Sequence, residues 1–419
     1  MATKAHSLAV RILEKAQELG EIGAGIQLPP NAMRVMDHYG LISDLADGGA
    51  TKVATRSLLR YSGGNPILIH PGDAWYNKHF GQSWCVMHRA DYHNVLLKEA
   101  KRLGAVVQLN SEVVAVDIAN SSVLLASQER VYADIIIGAD GLRSVVRDEL
   151  LGYHAEIIES GDLAYRATIP KERVKHLQDP VLEELSVRVW LGPRQHAVLY
   201  PLRNGATFNL VLICSDDLPL GVTSAAGNVH EMRELFKDWD SRLTALIAQV
   251  DDALKWKICY IKELENWCQG SIALLGDACH PTLPYQAQGA AMAVEDGAVL
   301  GVLLGKFSRS HLNKENPEHR AAKIAEILQL YESIRKDKTT LNVQRAMKTR
   351  ELFHLEDGPK CDARNETLAK VNWDDVDGSK EHGWGSMMYL RQILGNNSIH
   401  EAEKAFEEWI GKEKESRCS

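Results

Sequence analysis

Residues 273–297 read ALLGDACHPTLPYQAQGAAMAVEDG. A short apolar run ends in Gly276-Asp277, two prolines stiffen the loop that follows, and Gly289 opens a segment of small residues with a helical pattern. The first turn of a helix binds anions, because it presents unpaired N–H groups and the positive end of the helix dipole. The stretch therefore predicts a diphosphate site, with the Asp277 carboxylate directed to a sugar or phosphate edge.

Length and composition are those of an ordinary globular protein. The chain has 419 residues, 45% hydrophobic and 25% charged, which is enough for two domains with substantial cores. Its net charge of −8 argues against nucleic acid or an anionic membrane as a partner. The sequence contains no run of about 18 apolar residues, so it predicts no membrane-spanning helix. Seven scattered cysteines without metal-ligand spacing predict a reduced, cytoplasmic protein without a metal site.

The order of the predicted elements is that of an interrupted nucleotide-binding domain. Strands alternate with helices up to about residue 155, short runs between turn residues predict an antiparallel sheet over 156–265, and strands and helices return over 266–355. Residues 357–385 are polar and predicted to be irregular, and about 399–411 predict a charged amphipathic helix. The predicted class is α/β with α+β character, in which a substrate domain interrupts a nucleotide domain.

Three charged residues stand where a dinucleotide fold binds its ligand, at strand ends and at a helix start. Glu14 follows a short strand, Asp140 follows the apolar run 132–137, and Arg89 opens an amphipathic helix. Each also has an ordinary interpretation. Glu14 can be a solvated charge at a strand end, Asp140 can form a turn with the glycine after it, and Arg89 can be a surface residue.

The glycines at 20, 23 and 25 do not form a phosphate-binding fingerprint. Their spacing is GxxGxG rather than GxGxxG, and Pro29-Pro30 intervene before the next helix. A turn that passes close to a flat ligand remains open, since glycine permits close approach of the backbone.

Three further residues are candidates for binding a substrate. His196 and Tyr200 lie four residues apart in a predicted strand and so share one face, and Arg166 lies in another apolar strand. A histidine and a tyrosine near an arginine can bind and deprotonate a phenol or a carboxylic acid. Alternatively, Arg166 points outward and the other two are half-buried with satisfied hydrogen bonds. His280 has no second ligand at metal spacing, so we expect no metal there.

Six segments together resemble the FAD-dependent single-component aromatic monooxygenases, especially the salicylate hydroxylase-like branch with its fungal members of secondary metabolism. They are ILEKAQELGEIGAGIQLPPNA (12–32), HRADYHNVLL (88–97), ADIIIGADGLRSVVR (133–147), AYRA (164–167), ALLGDACHPTLPYQAQGAAMAVEDGAVLG (273–301) and YESIRKDKTTLNVQRA (331–346). The resemblance covers about residues 8–350, and motifs in this order and at this spacing are specific.

The resemblance implies a Rossmann-like FAD-binding domain in two parts, 1–155 and 266–355. A β-sheet substrate domain at 156–265 would separate them, and a polar segment and helix would follow at 356–419. It also implies FAD and NAD(P)H as cofactors, with O2 and a small aromatic substrate, either a phenol or an aromatic acid, that becomes hydroxylated.

Roles for the cofactor-binding residues follow from the same resemblance. Glu14 would hold the adenosine ribose of FAD. The backbone at Ala24 and Gly25 would run close past the flavin, and Arg89 would reach the diphosphate. Asp140-Gly141 would support the diphosphate and could also contact NAD(P)H.

The remaining roles concern the flavin ring and the substrate. Asp277 would bind the ribityl or diphosphate part, and Gly289 and Ala290 would lie under the isoalloxazine ring. Arg166 and Tyr200 would hold and ionise a phenolic substrate, a task for which other members use a histidine at the position of His196.

One part of the family pattern is missing from this sequence. The family begins with a strand, a GxGxxG turn and a helix, about 25–30 residues in all, whereas this chain starts at what reads as the second strand. We therefore expect an N-terminally truncated FAD-binding domain, from an incomplete or mis-spliced gene or a degenerate member. Two other functions stay open on this basis: a non-catalytic remnant that binds an aromatic ligand or a partner, and a flavin oxidoreductase that does not hydroxylate.

Overall fold

The computed structural model describes residues 8–20, 25–179, 182–375 and 385–418. Its strands are β1 (Arg11–Leu13), β2 (Gly25–Leu28), β3 (Thr51–Lys52), β4 (Arg56–Arg60), β5 (Pro66–His70), β6 (Cys85–His88), β7 (Val106–Gln108), β8 (Val113–Asp117), β9 (Ser122–Leu125), β10 (Arg130–Tyr132), β11 (Ile136–Gly138), β12 (Ile157–Pro170), β13 (Val187–Gly192), β14 (Gln195–Leu202), β15 (Thr207–Ser215), β16 (Ser224–Ala226), β17 (Leu254–Ile261), β18 (Cys268–Gln269) and β19 (Ile272–Leu274). Its α-helices are α1 (Pro30–His38), α2 (Ile42–Asp47), α3 (Asp73–Phe80), α4 (Arg89–Arg102), α5 (Val145–Leu151), α6 (Lys171–Val174), α7 (Val229–Leu235), α8 (Ser241–Ile247), α9 (Gly289–Arg309), α10 (Pro317–Phe353), α11 (Pro359–Ala369), α12 (Met387–Leu394) and α13 (Ser398–Cys418). None of the helices in these ranges is long and apolar enough to cross a membrane.

Two pairs of parallel strands lie in the regions that the sequence predicts to bind a nucleotide. β1 pairs with β7, and β11 pairs with β19. Asp140 follows β11 and Asp277 follows β19, so both loops leave the same edge of one sheet, as the sequence predicts for neighbouring parallel strands. Helix α9 begins after the second loop, and the long helix α10 packs against it.

The largest sheet has eight strands in the order β16-β17-β12-β15-β14-β13-β4-β5. Its neighbouring strands are antiparallel except for β13 and β4. Strands β12 to β17 come from the predicted substrate domain, but β4 and β5 come from the range predicted as the first cofactor-binding part. The hairpin of β4 and β5 pairs with β13, which would otherwise be an exposed edge, so the sheet extends across the predicted boundary at residue 155.

Two predicted elements differ from the structure. The apolar run 132–137 is divided, because β10 ends at Tyr132 and β11 begins at Ile136. The segment 357–385, predicted to be irregular, contains helix α11, whose Cys361 and Leu368 are buried. Only these two of its residues are buried, so its sequence carries too weak an apolar stripe to indicate a helix.

The loop after β19 is attached to α9 and α10 through a buried carboxylate. Asp296 of α9 is 0% exposed, and its Oδ2 accepts hydrogen bonds from Gly276 N at 3.1 Å and His280 Nε2 at 2.6 Å. Its Oδ1 accepts from Arg335 Nε of α10 at 2.7 Å. Burial opposes ionisation of Asp296, but His280 and Arg335 outweigh it and lower the pKa of the carboxyl group.

Arg335 extends this buried network to two further residues. It pairs with Glu295 at 2.9 Å and donates to Ser398 Oγ at 3.0 Å, at the start of α13. The network includes His280, because Nε2 of its ring is hydrogen-bonded to Asp296.

We predict that Asp296→Asn lowers the free energy of unfolding by about 3 kcal/mol, because removing one partner leaves buried positive charge uncompensated. Glu295 still pairs with Arg335, so the effect lies at the low end of the range for buried pairs. Urea denaturation of purified protein measures it. The control is Glu408→Gln, which breaks an exposed ion pair with Lys404 and is expected to cost under about 0.5 kcal/mol. Equal effects of the two substitutions would contradict the role of Asp296.

Candidate functional site

One face of the eight-stranded sheet carries the three predicted substrate residues. Arg166 of β12 lies opposite Val211 of β15, and Val211 lies opposite Val198 of β14. Val198 stands between His196 and Tyr200, and alternate residues of a strand point to the same side. Arg166, His196 and Tyr200 therefore share one face of the sheet, as predicted for the last two.

Two residues that the sequence did not indicate, Arg56 and His70, also lie on this face of the sheet. Val189 of β13 lies opposite Val198, and Val187 shares its face and pairs with Arg56 of β4. Arg56 in turn pairs with His70 of β5. Neither residue stands in a recognisable motif, and more than a hundred residues separate them from β13. Only the pairing of strands brings them to the site.

A cavity lies over this face of the sheet. Its polar and aromatic lining consists of Gln27, Arg56, Ser57, His70, Tyr76, His196, Tyr285, Gln286, Phe353 and Trp373. The remaining lining is mainly aliphatic. Among the described lining residues Arg56 carries charge and no carboxylate is present. Arg166 and Tyr200 are not part of this lining.

Five of the predicted residues lie close together beside the cavity. Gly25 of β2 pairs with His88 of β6, and Arg89, the first residue of α4, comes directly after His88. Arg89 therefore lies close to Gly25. A Cβ atom on Gly25 would lie 2.5 Å from the Tyr200 hydroxyl oxygen. Electrostatic interactions join Arg166 to Tyr200 and to Arg89, and join Arg89 to Asp277.

The electrostatics of this group favour a bound anion. Burial lowers the pKa of Arg166, Tyr200 opposes that change, and repulsion from Arg89 adds to it. Nε of Arg166 is buried without a hydrogen-bond partner, a loss worth about 1–3 kcal/mol. Asp277 can be reached by solvent but is closely surrounded by protein, and this enclosure raises the pKa of its carboxyl group. A negatively charged group between the two arginines would offset the cost at Arg166, so the residues fit a diphosphate-bearing cofactor.

The start of α9 offers further unsatisfied groups. Gly289 and Ala290 are its first two residues, and Gln288 precedes them. Oε1 of Gln288 accepts a hydrogen bond from Asn31 Nδ2 at 3.1 Å, which leaves Gln288 Nε2 and Asn31 Oδ1 buried without partners. A donor and an acceptor beside the N–H groups of a helix start fit a ligand that carries both kinds of atom.

Two of the predicted cofactor residues, Glu14 and Asp140, make local hydrogen bonds. Oε1 of Glu14 accepts a hydrogen bond from Ala16 N at 2.8 Å. Oδ2 of Asp140 accepts from Val145 N at 2.7 Å and Val146 N at 3.1 Å, so it caps helix α5. A cofactor contact of either carboxylate would compete with these local hydrogen bonds. Ala24 lies outside the described residues.

A sequence model of the family described as "FAD binding domain" matches residues 5–326. The chain belongs to this family. The FAD-dependent monooxygenase OpS4 of Beauveria bassiana (strain ARSEF 2860) is 36% identical over 418 residues, covering 97% of this chain and 93% of the relative. The 3-hydroxybenzoate 6-hydroxylase 1 of Aquipseudomonas alcaligenes is 37% identical over 303 residues, covering 70% and 74%. A solved salicylate hydroxylase substrate complex shares the fold, with a TM-score of 0.74 at 20% identity over 95% of this chain and 98% of that one.

These similarities confirm the resemblance that the six sequence segments indicate. The protein is a flavoenzyme of the FAD-dependent monooxygenase class, and NAD(P)H is the usual reductant in its family. The predicted α/β class with an FAD-binding fold is also confirmed. A non-catalytic remnant is not favoured, because the relatives are enzymes.

We predict that Gly25→Ala destabilises the protein by about 1–3 kcal/mol, because the new methyl group overlaps the Tyr200 ring. In a Tyr200→Ala background the same substitution should cost close to nothing, since the overlapping ring is gone. Thermal unfolding of the four proteins in this cycle measures the coupling. The control is Gly20→Ala, because no heavy atom lies within 4 Å of that Cβ position. Equal costs of Gly25→Ala in the two backgrounds would show that Tyr200 is not the obstacle.

Proposed function

We propose that this protein hydroxylates an aromatic acid bearing a phenolic hydroxyl group, with NAD(P)H as reductant and O2 as the source of the inserted oxygen. The cavity carries this proposal. It is mainly apolar and aromatic, its described lining contains an arginine but no carboxylate, and it contains a buried histidine. The relative named 3-hydroxybenzoate 6-hydroxylase acts, by its name, on an acid of this kind.

FAD would lie along Gly25, Arg89, Asp277 and the start of α9 at Gly289 and Ala290. The unsatisfied polar atoms described above support this placement. When bound, FAD supplies the redox chemistry with NAD(P)H and O2. Roles for Glu14, Ala24 and Asp140 rest on the family resemblance.

Arg166 and Tyr200 would stand between the flavin and the substrate. Burial raises the pKa of Tyr200, and the nearby Arg166 only partly opposes it. The Tyr200 hydroxyl therefore stays protonated at neutral pH and can donate a hydrogen bond, but it is a poor base. We assign Arg166 and Tyr200 to holding the substrate rather than to removing its proton.

His196 would be the base that removes the phenolic proton. It lines the cavity, and its Nδ1 lies 2.8 Å from His354 Nε2, which leaves Nε2 of His196 for a ligand. Burial lowers its pKa well below the usual value, and His354 adds to that shift. The ring is therefore neutral with a lone pair on Nε2, and because the same shift makes it a weak base, a proton that it takes up has to be passed on. Removing the phenolic proton makes the aromatic ring of the substrate more electron-rich. Such help from a general base is worth roughly 10²–10⁴-fold in rate.

Arg56 would bind the carboxylate of the substrate. Its Nη1 donates to the Tyr76 hydroxyl at 3.1 Å, and its guanidinium lies 3.9 Å from the centre of the Trp84 ring. These contacts hold the planar group in a defined orientation. A guanidinium held in this way is suited to two parallel hydrogen bonds with a carboxylate.

We also propose that the enzyme works in the cytoplasm. The six cysteines whose side chains are described are all free thiols, which suits a reducing compartment.

Labelled oxygen tests the proposed reaction. Purified protein loaded with FAD should consume NADH or NADPH faster when 3-hydroxybenzoate is added, and mass spectrometry should find one atom from ¹⁸O2 in the product. Stimulated NAD(P)H consumption that yields only hydrogen peroxide would instead support a flavin oxidoreductase that does not hydroxylate. Failure to bind FAD would overturn the proposal.

We predict that Arg56→Gln weakens binding of 3-hydroxybenzoate at least about tenfold, because a hydrogen bond to a charged group contributes about 1.5–3 kcal/mol. Binding of phenol, which lacks the carboxylate, should change little. Titration of flavin absorbance gives both dissociation constants. Arg60→Gln is the matched control, since Arg60 lies on the same strand but pairs with Asp357 and Asp362. Equal weakening for both ligands would rule out a carboxylate contact.

A further inference from the structure

Two histidines form part of the wall between the cavity and a second cleft. His196 lines the cavity, and His354, which follows α10 directly, lines a cleft of about 810 Å³. Nδ1 of His196 and Nε2 of His354 are 2.8 Å apart. The hydrogen-bonded pair therefore spans the wall from one space to the other.

The second cleft is open to water. Its lining includes Glu351, Glu356, Asp357 and Lys360, all of them exposed. The buried His196 has no such access, since it is 3% exposed. A proton that reaches His354 can therefore pass to solvent, whereas a proton held on His196 stays inside the protein.

A carboxylate lies close to the second ring. Asp162 Oδ2 lies 4.0 Å from Nδ1 of His354. Asp162 is held in place by hydrogen bonds from Arg350, one of them 2.8 Å long, and from the Tyr285 hydroxyl. Its negative charge favours the tautomer of His354 with a proton on Nδ1, and Nε2 then accepts a hydrogen bond from Nδ1–H of His196.

Both rings are neutral at physiological pH. Burial lowers the pKa of His354 to about 4, with Asp162 opposing the shift and Arg350 adding to it. The pKa of His196 lies well below its usual value for the same reason. A neutral imidazole can take up a proton on one nitrogen while it releases the proton on the other, so neither ring has to retain charge.

We propose that His196 and His354 form a two-histidine path that carries the phenolic proton of the substrate from the cavity to the open cleft. The O–H bond of the phenol breaks and an N–H bond forms at His196 Nε2. The proton on His196 Nδ1 moves to His354 Nε2, and the proton on His354 Nδ1 leaves to water in the cleft. Asp162 positions His354 for this transfer. The path rests on the proposed function, because it needs a phenolic substrate in the cavity.

The test uses the full-length protein loaded with FAD, with 3-hydroxybenzoate as substrate. His354→Ala should lower the rate of ¹⁸O-labelled product formation by about tenfold or more. Added imidazole should restore part of that rate, because it can enter the open cleft and replace the missing ring. His196→Ala with His354→Ala should be no slower than His196→Ala alone, since the two residues act in series. His354→Gln, which preserves a hydrogen-bonding side chain, should be as slow as His354→Ala.

A second measurement follows the proton without turnover. Para-nitrophenol is mixed with the oxidised protein in the absence of NAD(P)H, at a pH where it is protonated in solution, and its phenolate absorbance is followed. His354→Ala should slow the appearance of phenolate without changing its final amount, and imidazole should restore the rate. Glu351→Gln, a change at an exposed residue of the same cleft, should leave both rate and amount as in the wild type.

The outcomes separate the path from the function on which it rests. Wild-type protein that forms no labelled product overturns the proposed function. Wild-type activity together with unchanged rates for His354→Ala overturns the path. A slow His354→Ala variant that imidazole does not restore, or whose final phenolate amount falls, assigns His354 a purely structural role and also overturns the path.

Discussion

The carboxylate of Asp296 holds together the parts of the cofactor side of the site. A fully buried charge is costly unless it is paired and hydrogen-bonded, and Asp296 meets Gly276 N, His280 and Arg335 within 3.1 Å. These bonds attach the loop after β19 to α9 and α10. Asp277, which follows Gly276, and the start of α9 are therefore held in a set relation, and that relation defines where a diphosphate-bearing cofactor can lie.

The substrate side depends on strand register instead. Arg166, His196, Tyr200 and Arg56 face the cavity side because of the pairing of β12, β15, β14, β13 and β4. A slip of one residue in any of these pairs would turn its side chains to the other face. The two sides meet where Gly25 lies against Tyr200. This contact leaves no room for a side chain at position 25, and it couples the position of the tyrosine to the strand beside Arg89.

Burial divides the chemistry between the two sides. Arg89 and Arg166 lie where the two sides meet, and their mutual repulsion favours an anion there. On the cavity side, burial keeps His196 neutral and Tyr200 protonated, so one residue is suited to accept a proton and the other to donate a hydrogen bond. His354 and Asp162 then connect His196 to an open cleft. Burial thus has opposite consequences for two neighbouring residues: it lowers the pKa of His196, which stays neutral, and it raises the pKa of Tyr200, which keeps its proton.

Much of the fold and part of the site could be predicted from local sequence. The stretch 273–297 indicates its strand, loop and helix, and the spacing of His196 and Tyr200 places both on one face of a strand. Together with the other segments, these patterns identify the family. Each pattern is formed by residues close in sequence, so it can be recognised without the tertiary structure. Helix α11 escaped prediction since only Cys361 and Leu368 of it are buried.

Tertiary structure alone decided which distant residues complete the site. Arg56 reaches the cavity because β4 pairs with β13, and His354 reaches His196 because α10 ends beside β14. The capping of α5 by Asp140 likewise depends on the path of the loop after β11. Sequence periodicity determines which face of an element is apolar, but it contains no information on which elements pair. Packing supplies that information, and with it the burial that sets the charge of each group.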